Sequence, residues 1–273
     1  MQMGESSYRH MENGRLSVVL VGAGNVATHL GKALSQKANI LQIYSRKMQH
    51  AQELANIISD KCHATNDPTE LLPADLYIIS IKDDAIADFL KSVPSGLRER
   101  LWVHTSGSVD ISVFYGFNKH NGIIYPLQTF SKNVELKMDE VPLFIEGADS
   151  DTENFLVQFA HNISPIVHVA NSELRCKLHI AAVFACNFTN YMYSISEDIL
   201  NKSGIPFSVL IPLIKETTRK IELVSPSIAQ TGPAARGDKK IIDKHLSAIS
   251  EPGQKQIYQL LSNSILNKYI NNE

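Results

Sequence analysis

The segment Ser17–Leu30, "SVVLVGAGNVATHL", constrains the fold more than any other stretch of this chain. A short apolar run leads into Gly22 and Gly24, and a helical pattern follows directly, with Ala27 three residues after the second glycine. In a G-x-G-x-x-G/A turn the first glycine allows a tight bend, the second lets the backbone approach a pyrophosphate, and a small third residue lets helix and strand pack closely. We therefore expect a strand–turn–helix unit whose helix N-terminus holds phosphate groups.

Short apolar runs alternate with amphipathic helical patterns as far as about residue 170, which is typical of βαβ units in a parallel sheet. The predicted strands are Ser17–Gly22, Ile40–Tyr44, Asp75–Ile81, Arg100–Gly107, Gly122–Gln128, Val141–Gly147 and Pro165–Ala170. The predicted helices between them are Val26–Gln36, Met48–Ile58, Asp84–Ser92 and Thr152–Asn162.

From Asn171 onward the pattern is helical only. One helix over Asn171–Lys202 would be roughly 45 Å long at 1.5 Å per residue, and three more follow over Gly204–Val224, Asp238–Ile249 and Glu251–Ile270. We predict a doubly wound parallel α/β domain of the Rossmann type over residues 17–170, then an all-α domain over 171–273, with a cleft between them. Residues 1–16 are predicted to be a flexible polar leader.

Composition excludes several classes of protein. The 273 residues are 44% hydrophobic with a formal net charge of -2, so a sizeable core is expected and a phosphate-neutralising basic surface is not. No apolar run approaches the roughly 20 residues of a membrane span, and the leader is too polar for a signal peptide, which predicts a cytoplasmic protein. Cys62, Cys176 and Cys186 lack C-x-x-C spacing, so neither disulfides nor a metal site are expected.

The end of the second predicted strand indicates the cofactor. An NAD site would place Asp or Glu about 20 residues beyond the glycines, to hold the ribose 2′-hydroxyl. This chain has Ser45 and Arg46 there, and a guanidinium beside a hydroxyl suits a 2′-phosphate. NADP is therefore the predicted cofactor, and a solvated charge at a strand end is the alternative. The residues expected to contact it here are Gly22, Gly24, Asn25, Val26, Ser45 and Arg46.

Longer stretches carry a family resemblance. "VVLVGAGNVATHLGKAL", "YSRKMQHAQELA", "IISIKDDAI" and "HTSGS" resemble the N-terminal domains of pyrroline-5-carboxylate reductase and the wider 6-phosphogluconate dehydrogenase-like superfamily. "YPLQTF", "LHIAAVFACNFTN" and "TGPAARGD" are similar to signature stretches of a family of NADP oxidoreductases whose second domain has no assigned function. The resemblance covers nearly the whole chain after the leader. It implies a Rossmann domain, a helical domain often used for dimerisation and NADP-linked redox chemistry, without naming a substrate.

Two departures limit what the resemblance carries over. Superfamily members that oxidise β-hydroxyacids have a lysine followed four residues later by an asparagine in the first long helix of the second domain. Here Lys177 is followed four residues later by Ala181, so that catalytic pair is missing. The usual "PD" of the loop after the fourth strand is Lys82-Asp83, which leaves Ser80 and Asp83 on the cofactor side.

Polar residues follow the predicted strands at their carboxyl ends, where ligands of open α/β sheets bind. On this basis Ser80 and the segment His104–Ser108, including Thr105, are expected near the cofactor, and Gln128 with Thr129 near the substrate. The hydroxyl and backbone amides around Ser106 could hold a substrate carboxylate. The alternative is a tight turn whose hydroxyls cap the next helix.

The predicted long helix offers a proton donor. At 100° per residue, His179 and Asn187 lie along one broad side together with Val183, Cys186 and Asn190. An imidazole titrates near neutral pH and suits proton transfer to a reduced substrate, while Asn187 would orient a carbonyl or carboxylate. A histidine satisfied in the core is the alternative for His179.

The segment "TGPAARGD" supplies Arg236 and Asp238, expected to hold an anionic substrate; alternatively Asp238 only caps a helix. The predicted function is hydride transfer between NADP and a small, anionic carbonyl, imine or hydroxyl compound in the cleft between the two domains, and a homodimer through the helical domain is expected. His179, Asn187 and Ser106 are the predicted catalytic residues. Two alternatives stay open: a non-catalytic NADP-binding sensor, and an enzyme that uses a reduced deazaflavin with NADP.

Overall fold

The structure, a computed structural model, describes residues 15–270, so most of the predicted leader lies outside the described residues. The strands are β1 (Ser17–Val21), β2 (Asn39–Tyr44), β3 (His63–Thr65), β4 (Leu76–Ile79), β5 (Leu101–His104), β6 (Asn121–Pro126), β7 (Leu143–Gly147) and β8 (Val167–Val169). The α-helices are α1 (Asn25–Leu34), α2 (Met48–Ile58), α3 (Ile86–Ser92), α4 (Ser150–Ala160), α5 (Ser172–Ala182), α6 (Thr189–Asn201), α7 (Ile211–Leu223), α8 (Pro226–Ala229), α9 (Lys239–Ala248) and α10 (Pro252–Tyr269).

The strands form one sheet in the order β3-β2-β1-β4-β5-β6-β7-β8, which confirms the predicted doubly wound architecture. Neighbouring strands run parallel, except that β7 is antiparallel to β6. The connection between these two strands contains a single 3-10 turn, Met138–Glu140, in place of a crossover helix. Without a crossover the chain returns alongside β6 in the opposite direction, so the expectation of a fully parallel sheet is wrong at this pair.

Apolar residues fill both faces of the sheet. The central strands are continuous buried runs, as parallel strands covered on both sides require. One core includes Leu30 and Ile78, and the other includes Tyr77, Trp102 and Phe114. The Trp102 ring stacks on Tyr77 with centroids 4.0 Å apart. Because both faces are closed by side chains, polar residues reach solvent at the strand ends.

The predicted long helix is interrupted in the middle. Helix α5 passes into a π-helical segment, Val183–Phe188, which continues as α6. A π turn contains more residues than an α turn, so the 100° spacing fails across it. The expectation of one regular helix is therefore wrong at this segment, whereas the shared side of His179 and Asn187 stays a prediction.

The chain divides into two compact units, the first ending at Cys186 and the second beginning at Asn187. Helix α5 belongs to the first unit, and its Arg175 is fully buried. The predicted boundary after Ala170 marks the change of secondary structure rather than the edge of this unit. The second unit is all-helical, and within residues 15–270 none of the helices has the length and apolar character of a bilayer span.

Candidate active site

In the glycine turn between β1 and α1, Gly22 is packed tightly and Gly24 lies beside open space. Gly22 has φ +123°, and a Cβ built on it would lie 2.2 Å from the Ser80 carbonyl oxygen, so no other residue fits there. Gly24 is the N-cap of α1 without a side-chain cap, and a Cβ there would meet nothing within 4 Å. The first turn of α1 therefore presents backbone N–H groups beside open space, as a phosphate group requires.

This open space is part of a cavity of about 1010 Å³ in the first unit. All of the predicted cofactor contacts line this cavity: Gly22, Gly24, Asn25, Val26, Ser45, Arg46, Ser80, Asp83 and Thr105. Ser106, Gln128 and His179 line it as well, but Thr129 does not. The structure thus brings to a single cavity the glycine turn after β1, the carboxyl ends of the parallel strands β2, β4, β5 and β6, and helix α5.

The end of β2 supplies positive charge to the cavity. Arg46 is exposed and, among residues 15–270, its guanidinium has no hydrogen bond or ion pair. His50, four residues later in the first turn of α2, lines the same cavity and was missed by the sequence analysis. The available signal was its place in the first turn of a predicted helix that begins just after Arg46. These two side chains and Ser45 form a donor set that suits a phosphate monoester.

The ends of β4 and β5 are joined by hydroxyl groups. Thr105 Oγ1 donates to Ser80 Oγ at 3.1 Å. Ser106 Oγ accepts hydrogen bonds from the backbone N–H groups of Ser108 and Val109, at 3.1 and 3.0 Å. The Ser106 oxygen thus stabilises its own turn, which favours the capping alternative, while the side chain still lines the cavity.

His104, predicted to lie at the ligand site, is instead a core residue. It is fully buried and stacks on Phe114, and its Nδ1 accepts a hydrogen bond from the Ser106 N–H. Burial, with a smaller effect of the Arg175 charge, lowers the pKa of His104 to about 3. The imidazole is therefore uncharged at neutral pH and does not line the cavity.

Arg175 fixes the loop after β5. Its guanidinium donates to the carbonyl oxygens of Ser106, Gly107 and Val109, the last at 2.8 and 2.9 Å. It also donates to Glu146 Oε2 at 3.2 Å, which compensates the buried charge. Burial lowers the pKa of Arg175, and Glu146 opposes this effect. Sequence analysis missed Arg175 because a single arginine in an amphipathic helix resembles a surface charge.

His179 lies beside the loop that Arg175 holds. Its Nδ1 is 3.0 Å from the hydroxyl of Tyr125, a buried β6 residue that lines the cavity. A Cβ on Gly107 would lie 2.6 Å from the same nitrogen, so the glycine makes room for the imidazole. Tyr125 is the first residue of "YPLQTF", and the sequence predicted no role for it.

The loop after β6 packs against the glycine turn. Asn25 Nδ2 donates to the carbonyl oxygen of Phe130 at 2.9 Å, and His29 Nε2 bonds to that of Ser131 at 3.0 Å. Phe130 and Lys132 line the cavity from this loop. Neither was predicted, because an irregular loop has no periodicity to place its side chains.

The other predicted site residues are not among those that line the cavity of the first unit. Thr129 is exposed, and its N–H is bonded to Gln128 Oε1 at 2.8 Å. Asn187 and Arg236 are exposed residues of the helical unit. Asp238 accepts from the Ile241 N–H at 3.4 Å as the N-cap of α9, which favours the capping alternative. The substrate roles of these residues stay predictions.

No His, Cys, Asp or Glu cluster within residues 15–270 has the composition of a metal site. The three cysteines are free, with Cys62 buried and the other two half-buried.

Comparison with known proteins identifies the family. Residues 17–106 match the family model "NADP oxidoreductase coenzyme F420-dependent", and residues 141–265 match DUF2520, a domain of unknown function. BF3122 of Bacteroides fragilis, described as a candidate NADP oxidoreductase, is 43% identical over 93% of this chain and 98% of its own, with a TM-score of 0.86. The chain belongs to this family of NADP oxidoreductases. The predicted family, with its Rossmann domain and helical domain of unknown function, is confirmed.

More distant relatives share the fold. Protein TM1727 of Thermotoga maritima is 22% identical over 93% of this chain and 98% of its own, with a TM-score of 0.68. A reductive aminase of Aspergillus terreus in complex with NADPH and ethyl levulinate is 11% identical over 93% and 95%, with a TM-score of 0.67. Among proteins with curated functions, none matches this chain.

Proposed function

We propose that this chain transfers a hydride between NADP and a small, anionic carbonyl, imine or hydroxyl compound. The observation that carries the proposal is the single cavity lined by both the glycine turn and His179. Bound NADPH would supply the hydride. The chain itself binds the dinucleotide, orients the substrate and provides a proton.

The cofactor end of the cavity supports NADP. The open backbone at Gly24 and the uncapped N-terminus of α1 are suited to the pyrophosphate. Ser45, Arg46 and His50 are suited to the 2′-phosphate, and no residue that lines the cavity from β2 or α2 is acidic. A carboxylate in that place would repel the 2′-phosphate, so its absence favours NADP over NAD.

The other end supports proton transfer. His179 supplies an imidazole there, and a hydrogen bond through Nδ1 holds it in place. We assign it the transfer of a proton to the substrate heteroatom. Ser106 and Gln128, which line the same cavity, are assigned to substrate orientation.

Isothermal titration with NADPH and NADH tests the cofactor assignment. Losing a charged phosphate contact costs about 1.5–3 kcal/mol, so Arg46→Ala is expected to weaken NADPH binding about tenfold or more and to leave NADH binding unchanged. Lys47→Ala is the matched control, because Lys47 is also exposed but does not line the cavity. Equal loss in the two variants, or no NADPH binding by the wild type, would overturn the assignment.

Turnover separates an enzyme from a sensor. NADPH oxidation is measured with a panel of keto acids and imines, for the wild type and His179→Gln. The proposal predicts turnover by the wild type and loss of about a hundredfold in the variant. Tight NADPH binding without turnover of any compound would favour the sensor instead.

A reduced deazaflavin is the second candidate for the hydride partner. The matching family model carries coenzyme F420 in its description, which favours this candidate over other second cofactors. The same assay with reduced F420 and NADP, in place of the keto acids and imines, tests it. NADPH formation at 340 nm would support the deazaflavin reaction, and no change would exclude it.

We propose further that the helical unit forms a homodimer. Several of its large apolar side chains are more than half exposed, including Leu213, Leu223, Ile228 and Leu260. Exposed apolar surface on this scale is typical of protein interfaces. Light scattering after size exclusion should give twice the chain mass of 30.3 kDa, and a monomer at micromolar concentration would contradict the dimer.

A further inference from the structure

Tyr125 and His179 form a hydrogen-bonded pair in the wall of the cavity. The Tyr125 hydroxyl is 3.0 Å from His179 Nδ1, and the two rings meet edge to face with centroids 6.0 Å apart. We propose that Tyr125 is a positioning residue that keeps the His179 proton on Nε2 and thereby makes Nε2 the donor to the substrate. This inference rests on the proposed reductase function and adds to it the atom from which the proton leaves.

The imidazole has little freedom to turn. On one side it lies against Gly107, where even a methyl group would come within 2.6 Å of Nδ1. Gly107 is itself held through its carbonyl oxygen by Arg175, one helical turn before His179. Tyr125 is 7% exposed in β6, so its ring is fixed by the sheet. Nδ1 therefore faces the phenol, while Nε2 has no hydrogen bond to any residue of 15–270.

The phenol keeps its own proton over the range in which an imidazole titrates. Burial raises the pKa of Tyr125; among the nearby charged groups the Arg175 guanidinium opposes this effect and Asp83 adds to it. In the proposed resting arrangement of the neutral imidazole, the Tyr125 O–H donates to Nδ1 and the ring proton is on Nε2. When the ring is charged, Nδ1–H donates to the phenol oxygen and Nε2 also carries a proton. Nε2 is thus protonated in both states.

The proton step then balances in the direction of reduction. A hydride from NADPH forms the new C–H bond, and the π electron pair of the C=O or C=N bond moves to the heteroatom. That heteroatom takes the Nε2 proton of the charged imidazole, so the substrate gains one hydride and one proton. Directly after this transfer the neutral ring carries its proton on Nδ1, hydrogen-bonded to the phenol oxygen. Uptake of a proton from solvent at Nε2 then restores the charged ring for the next turnover.

The test is the tautomer of His179, which needs no substrate. Protein labelled with ¹⁵N-histidine is measured by long-range ¹H–¹⁵N NMR at a pH above the imidazole titration, and His179→Gln assigns the signal. We expect the wild type to be in the Nε2–H tautomer, and Tyr125→Phe to be a mixture of both tautomers. Tyr115→Phe, which changes a tyrosine that is 79% exposed, is the matched control and should match the wild type.

Two outcomes overturn the inference: an Nδ1–H tautomer in the wild type, or a Tyr125→Phe spectrum identical to that of the wild type. The tautomer of the wild type is measured without any variant, so it can overturn the inference even if Tyr125→Phe does not fold. With an active substrate, Tyr125→Phe should lower kcat about tenfold and leave the KM for NADPH unchanged. A protein with the expected tautomer and no turnover would contradict the proposed function and leave the hydrogen-bonded pair in place.

Discussion

Arg175 offers the sharpest test of how the site loop is held. Arg175→Leu removes the hydrogen bonds to Val109 and Ser172, each 2.9 Å or shorter, and the ion pair with Glu146. The Arg175 side chain is 1% exposed and that of Glu146 12%, so a nearly buried carboxylate loses its counter-charge. Within residues 15–270 it then keeps only the hydrogen bond from the Ser172 hydroxyl. Breaking such a pair costs about 3–5 kcal/mol. We expect the low end, about 3 kcal/mol, because Glu146 retains some contact with water.

Urea unfolding followed by tryptophan fluorescence measures this loss, because the chain has one tryptophan, Trp102, in the core of the same unit. Lys91→Leu, which breaks an exposed pair with Asp88 in that unit, is the control and should leave the midpoint unchanged. Arg175→Leu combined with Glu146→Leu should recover part of the loss, since both charges are then removed. A change below about 1 kcal/mol in Arg175→Leu would refute the view that the pair holds this loop.

Three further predictions concern the turn and two buried groups. Gly22→Ala should destabilise the protein by more than about 1–3 kcal/mol, because φ is +123° and its Cβ would strike the Ser80 carbonyl. Gly24→Ala should unfold like the wild type and weaken NADPH binding. Equal urea midpoints for the two variants would contradict the turn geometry. Burial raises the pKa of Cys62 to about 11, so a thiol reagent at pH 8 should label Cys176 and Cys186 first and Cys62 only in urea; rapid native labelling of Cys62 would contradict its burial. Because the pKa of His104 is lowered to about 3, the unfolded chain binds a proton that the native chain does not, and unfolding free energy should fall by up to about 1.4 kcal/mol per pH unit from about pH 6.5 towards pH 3. Urea titrations at pH 7 and pH 5 measure this change, and His104→Asn should show a smaller difference in unfolding free energy between the two pH values than the wild type. An equal difference in the variant and the wild type would contradict a neutral buried imidazole.

The fold was predictable where burial leaves a signal in the sequence. Strands such as β4 are buried on both faces and appear as unbroken apolar runs between helical patterns. Strand β3 was missed because three residues carry no periodicity. The antiparallel β6–β7 pair and the π segment Val183–Phe188 depend on how a connection folds and how a helix is wound, and neither changes the apolar pattern.

The residues of the candidate site also differ in whether a local sequence pattern indicates them. The glycine turn and Arg46 could be predicted as cofactor contacts because a backbone approach and a phosphate charge need particular residue types at a fixed spacing. Tyr125 and Arg175 were missed because their roles come from contacts across the fold, to His179 and to the loop after β5. A tyrosine in an apolar strand and an arginine in a helix have ordinary sequence surroundings, so tertiary structure alone separates them from core and surface residues.

The two outer strands of the sheet, β3 and β8, are each three residues long. An edge strand has a row of unpaired backbone groups, and a long, flat edge is a template on which further strands can assemble into fibrils. Short outer strands offer few such groups on either side. A sheet of eight strands can thus resist edge-to-edge aggregation at the high protein concentrations of a cell. We expect a lengthened β8 to make the protein form fibrils.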